Sequence, residues 1–97
     1  MTSTVTTIEL IRRKLAVLDP EQIEIFDESA KHAGHEGAKS GGGHYILTIV
    51  SRKFFGKPRL ARHRLVYTLL GEMMHKDIHA LSVKAYTPEE IGFDSTH

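Results

Sequence analysis

The sequence predicts an α+β domain, a three-stranded mixed sheet covered by helices on one face, in the order helix, strand, strand, helix, strand, short helix. Three observations carry this. Apolar residues recur at helical spacing over residues 6–18 and 59–75. Alternating or β-branched apolar runs occupy residues 22–29, 45–50 and 78–86. Residues 52–77 separate the last two strands, which is long enough for a helical crossover and hence for a parallel pairing, whereas the first two strands can pair antiparallel across a glycine-rich loop.

Thr6-x-x-Glu9 forms a capping box, and Ile8, Ile11, Leu15 and Leu18 follow as a stripe for the core. Asp19-Pro20 stops this helix, because the ring disfavours a helical residue before it. In the first strand, Ile23, Ile25 and Asp27 alternate with Glu24, Phe26 and Glu28. A loop from about residue 30 to 43 contains Gly34, Gly37 and Gly41-Gly42-Gly43. The strand at 45–50 is apolar on both faces and reads as central. Pro58 suits the first turn of the second helix, whose buried stripe is Ala61, Leu65, Val66, Leu69, Leu70 and Met73; His75 and Lys76 suit the negative end of its dipole. Leu81, Val83 and Ala85 share one side of the third strand. Thr87-Pro88-Glu89-Glu90 then starts a short helix with Thr as its cap.

A chain of 97 residues suits one domain, with a core over about residues 6–91 and frayed ends, and excludes a two-domain enzyme with an interdomain cleft. No apolar run approaches a membrane span. Without cysteine the chain forms no disulfide, offers no thiol nucleophile and holds no iron–sulfur cluster by itself. No Ser/His/Asp arrangement, paired carboxylate cleft or dinucleotide fingerprint is present, so an enzyme is not expected. The net charge of +1 shows no global bias toward nucleic acid. The N-terminus lacks the features of a secretory signal and has no Arg before Arg12; the cytoplasm is the default location and the mitochondrial matrix the alternative.

The seven histidines are the unusual feature. If the second and third strands are parallel neighbours, their N-terminal ends adjoin. His44 opens the second strand and His79 the third, and the loop carrying His32 and His35 enters beside them. Four imidazoles then converge on one edge, and imidazole is the commonest protein metal ligand. His63 lies early in the second helix, about 18 Å from its end, and reads as structural or as part of a separate surface.

Two other strings match motifs but lack their context. Gly34-His35-Glu36-Gly37 fits GxxG yet lies between strands rather than helices, and Gly37-Ala38-Lys39-Ser40 lacks a P-loop's second glycine and following helix. The charge pattern is more informative. Arg52, Lys53, Lys57, Arg59, Arg62 and Arg64 fall in a 13-residue segment without an acid, whereas residues 19–28 carry five acids and no base. The basic segment suits nucleic-acid phosphates, an acidic protein surface or glutathione carboxylates, or else forms a solvated helix face. Of the adjacent Phe54 and Phe55, one is expected in the core and the other exposed.

Several blocks together carry a family likeness: Asp27-Glu28-Ser29, His32-Ala33-Gly34-His35, Gly42-Gly43-His44-Tyr45, Ile49-Val50-Ser51, Phe55-Gly56-Lys57, Arg62-His63-Arg64-Leu65-Val66-Tyr67 and Ile78-His79-Ala80-Leu81-Ser82. Over about residues 8–90 the chain resembles BolA family proteins. It departs from them at Ala30, where many members have His, and at Tyr45, where many have Phe.

The resemblance implies a class II KH-like fold and a heterodimer with a monothiol glutaredoxin sharing a [2Fe–2S] cluster. The glutaredoxin and its bound glutathione would each supply a thiolate. This chain would supply His79 and a loop histidine, by motif register His32, with His35 and His44 as alternatives. Such an adaptor would serve cluster trafficking, maturation or iron sensing. The competing expectation is a nucleic-acid-binding transcriptional regulator that contacts DNA phosphates through Lys53, Lys57, Arg59, Arg62 and Arg64. In isolation a monomer is expected.

Overall fold

The computed structural model describes residues 6–28 and 43–92. The expectations for His32, His35, the GxxG and P-loop-like strings and the chain ends fall outside the described residues.

Helix α1 (Thr7–Leu15) begins at the expected capping box: the Thr6 hydroxyl accepts from the Glu9 N–H at 3.1 Å, and the Glu9 carboxylate accepts from the Thr6 N–H at 3.3 Å. A 3₁₀ turn (Ala16–Leu18) extends it, so Ile11, Leu15 and Leu18 all reach the core. Asp19 ends the helix in the left-handed region at φ 48°, a conformation that Asp tolerates better than most residues.

Strands β1 (Gln22–Asp27), β2 (Gly43–Val50) and β3 (Ile78–Tyr86) form one sheet in the order β1-β2-β3. β1 and β2 are antiparallel, with Ile25 opposite Leu47; β2 and β3 are parallel, with Leu47 opposite Val83. Tyr45, Leu47 and Ile49 enter the core with Val66 and Leu70, whereas His44, Ile46 and Thr48 on the other face are half-buried. The central strand is thus fully covered on one face and half-covered on the other, where Ile46 sits between His44 and Thr48.

Helix α2 (Arg59–Leu70) is shorter than the periodicity predicts. Gly71 takes φ 56° and ψ −128°, which interrupts the i→i−4 ladder, and residues Gly71–His75 continue as a 3₁₀ helix. Met73 still reaches the core from this turn, but His75 and Lys76 lie beyond the α-helical dipole that was expected to favour them.

Two polar devices tie the helical layer to the sheet. Ser51 is fully buried; its hydroxyl donates to the Leu18 carbonyl at 2.6 Å and accepts from the Lys53 N–H at 3.1 Å. The closing 3₁₀ turn (Glu89–Ile91) is capped as expected: the Glu90 N–H donates to the Thr87 hydroxyl, and the Thr87 N–H donates to the Glu90 carboxylate.

Candidate functional site

Because β2 and β3 are parallel, both begin at the same edge of the sheet, where the chain leaving β1 also arrives. The Glu28 N–H donates to the His44 carbonyl at 2.8 Å, and the Gly43 N–H to the Asp77 carbonyl at 3.2 Å. Residues 28 and 43, which flank the histidine-bearing segment, therefore both lie at this rim.

The register shifts here: Gly43 faces Ile78 and His44 faces Ala80, leaving His79 as an extra residue in a β-bulge. The bulge resolves a conflict of phase. Strict alternation from Leu81, Val83 and Ala85 would turn Ile78 outward, yet Ile78 is buried. The inserted residue lets Ile78 and Leu81 both face inward, while His79 and Ala80 are exposed.

At this bulge the His44 and His79 rings meet, with centroids 5.1 Å apart and planes tilted by 32°. Two imidazoles on one tetrahedral ion at ordinary metal–nitrogen distances have centroids about 5 Å apart, so the spacing suits metal-ligating chemistry. Among the described residues, however, no group of three or more His, Cys, Asp or Glu is arranged to hold a metal. Beside the two rings lies a shallow cavity of about 370 Å³ lined by Glu28, His44, Ile46 and Ser82 among others.

The opposite end of the sheet is basic. A groove of about 760 Å³ runs between the start of α2 and β3, lined by Lys57, Arg59, Arg62, His63, Lys84, Tyr86 and Glu90 among others. Lys53, Lys57, Arg59 and Arg64 are exposed, as their expected role requires.

Arg62 departs from that expectation. Its side chain is only 11% exposed and points into the fold. Its guanidinium donates twice to the Glu90 carboxylate, at 2.7 and 2.9 Å, and also to the carbonyls of Lys57 and Ala85. It also sits 5.8 Å from the centre of the Phe54 ring. The Arg62 hydrogen bond, with help from the Thr87 N–H, lowers the Glu90 pKa to about 2; the same contact raises that of Arg62. Helical periodicity placed Arg62 off the buried stripe, but a long cation can reach around a helix to satisfy acceptors at its end. Arg52 is also engaged, 2.9 Å from Glu21.

His63 lines the basic groove and lies apart from the histidine rim, since its neighbour Arg62 contacts the end of β3 while His79 stands at its beginning. Lys84 was missed: it is distant in sequence from the basic run, and only the alternation of β3 signalled that it faces out. The phenylalanine pair divides as expected, with Phe54 fully buried and Phe55 76% exposed.

A family model described as BolA-like protein matches residues 15–90. SufE-like protein 1, chloroplastic/mitochondrial, from Arabidopsis thaliana is 44% identical over 87 residues, which cover 84% of this chain and 24% of that protein. The DNA-binding transcriptional regulator BolA of Escherichia coli (strain K12) is 37% identical over 83 residues, covering 84% of this chain and 76% of that one. The solved structure of BolA1 from Arabidopsis thaliana aligns with a TM-score of 0.74 at 38% identity, covering 93% of this chain and 97% of that one. The chain spans between 24% and 61% of several curated relatives, so their whole-protein activities do not transfer with the likeness. The group comprises regulators and adaptors rather than enzymes. By sequence and by its α+β architecture, the chain belongs to the BolA family.

Proposed function

We propose that this chain is an iron–sulfur cluster adaptor that binds a monothiol glutaredoxin and co-ligates a shared [2Fe–2S] cluster. The observation that carries the reading is the His44–His79 ring contact at the edge where Glu28 and Gly43, which flank the histidine-bearing segment, also lie. In this reading His79 supplies one imidazole and His32, by motif register, the other, with His35 and His44 as alternatives. The bulge at His79 anchors that ligand on a strand rather than a loop, which favours a reproducible approach.

The donor chemistry fits. With no cysteine, the chain offers no thiolate, so in this reading the thiolates come from the glutaredoxin and its glutathione. Imidazoles in place of thiolates make such a cluster less negative and raise its potential, as in Rieske centres. This role serves cluster trafficking, maturation or iron sensing. The chloroplastic/mitochondrial name of one relative is compatible with the mitochondrial matrix as its setting.

The test is co-expression with a monothiol glutaredoxin and glutathione. A 1:1 complex should form from a chain that is monomeric alone, with the visible absorption and EPR of a mixed-ligand [2Fe–2S] species. His79→Ala should abolish or destabilise that species and His63→Ala should preserve it. An unchanged spectrum in His79→Ala removes the assignment.

A second reading is favoured by the groove, where Lys57, Arg59 and Lys84 gather, and by the DNA-binding regulator among the relatives. In that reading the basic end contacts DNA phosphates. Salt-sensitive DNA binding, lost when Lys53, Lys57, Arg59 and Arg64 are neutralised but indifferent to His79→Ala, would establish it.

A further inference from the structure

The corner that follows β2 carries an apolar feature that neither reading uses. Phe55 has φ −58° and ψ 134°, Gly56 has φ 80°, and the Lys57 N–H donates to the Phe54 carbonyl at 3.0 Å. This is a type II β-turn with Phe55 at its first corner and glycine at the position that needs positive φ. The turn divides the two rings: Phe54 anchors the core, and Phe55 projects from the tip with 76% of its surface exposed. Space around Gly56 is open, with no atom within 4 Å of where a Cβ would stand. Leu60, in the first turn of α2, is 60% exposed.

Cations surround this apolar tip. Lys53 precedes it, Lys57 and Arg59 follow it, and residues 52–64 contain no acid. Glu21, which reaches this end, is paired with Arg52. Lys53, Lys57 and Arg59 make no ion pair among the described residues.

We propose that the Phe55 corner is a peripheral docking point for an anionic lipid bilayer. Three features favour that occupant. The tip is convex, and a fluid interface accepts a protruding ring without a complementary pocket. Acidic headgroups complement the cations, each of which adds about fivefold to partition near such a surface. The headgroup–acyl boundary takes the phenyl and isobutyl groups, which duplex phosphates do not. No helix among the described residues is long and apolar enough to cross a membrane. β2 separates this corner from the histidine rim by roughly 23 Å, which leaves the rim accessible while the corner is seated.

The chain has no tryptophan, so Phe55→Trp places a single reporter at the tip. With vesicles of phosphatidylcholine mixed with phosphatidylserine, its emission should shift to the blue and the protein should co-sediment. Neither should occur with phosphatidylcholine alone, and high salt should reverse both. In the otherwise native chain, Phe55→Ser should weaken co-sedimentation by about tenfold or more, from the loss of one buried aromatic. The double change Lys53→Glu and Lys57→Glu should weaken it at least as much. Both sets of substitutions are at exposed positions, so unchanged thermal unfolding serves as the folding control. No blue shift with the mixed vesicles, or vesicle binding indifferent to Phe55→Ser, overturns the proposal. So does binding to duplex DNA alone.

Discussion

The two ends of the sheet are built on opposite plans. At the N-terminal ends of β2 and β3, a bulge exposes His79, and its ring meets that of His44. At the other end, Arg62 satisfies two main-chain carbonyls and the Glu90 carboxylate at once, locking the start of α2 to the end of β3. The comparison teaches that residue type alone does not mark function. A histidine, often a packing residue, is here presented to solvent, while an arginine in a basic run is a structural clamp.

Substitutions at the two ends should therefore separate function from stability. The largest expected effect is loss of the mixed-ligand cluster species in His79→Ala, read by EPR of the glutaredoxin complex. Its urea midpoint should barely move, because the side chain is exposed. The converse is Arg62→Ala, which removes the donor from two carbonyls and leaves the Glu90 carboxylate with the Thr87 N–H alone; it should cost about 1–3 kcal/mol in urea unfolding. If refolded with glutaredoxin under stabilising conditions, this variant should still support the cluster. Loss of the cluster without loss of stability would erase the distinction between the ends.

Ser51→Ala should cost about 1–2 kcal/mol, since it orphans the buried Leu18 carbonyl and the Lys53 N–H; a change within error would show that water replaces the hydroxyl. The smallest effect concerns pH. The Glu90 carboxyl is held well below its usual value, at about 2, so the folded state binds its proton less readily than the unfolded chain. Its stabilising contribution is present above pH 4.5 and is lost as pH falls toward 2. The side chain is 43% exposed and therefore screened, which keeps this term below about 1 kcal/mol. Glu90→Gln should remove that contribution above pH 4.5 and flatten the stability profile between pH 4.5 and 2.

Much of this architecture was legible from patterns that local physics enforces. The Thr6–Glu9 box, the stop at Asp19-Pro20 and the phase of Leu81, Val83 and Ala85 each reflect one residue's nearest neighbours. The meeting of His44 and His79 was also accessible, because a crossover of that length implies a parallel pair with adjoining starts. The bulge was not. It arises from competition between burying Ile78 and keeping Leu81 inward, which depends on the opposing strand's register. The end of α2 was misjudged because apolar spacing continues past Gly71 to Met73, whereas the glycine itself takes a positive φ and ends the α-helix. Arg62 is the clearest failure, since its acceptors on Ala85 and Glu90 lie more than twenty residues away in sequence.

The central claim, that this chain supplies imidazole ligands to a cluster shared with a glutaredoxin, is tested most directly by pulsed EPR on the reduced heterodimer. The chain would carry ¹⁵N-labelled histidine and the glutaredoxin would be unlabelled. The account predicts ¹⁵N hyperfine coupling from directly bound nitrogen, with the His79 contribution absent in His79→Ala. A spectrum without ¹⁵N coupling, or one in which His79→Ala leaves that coupling intact, would contradict it.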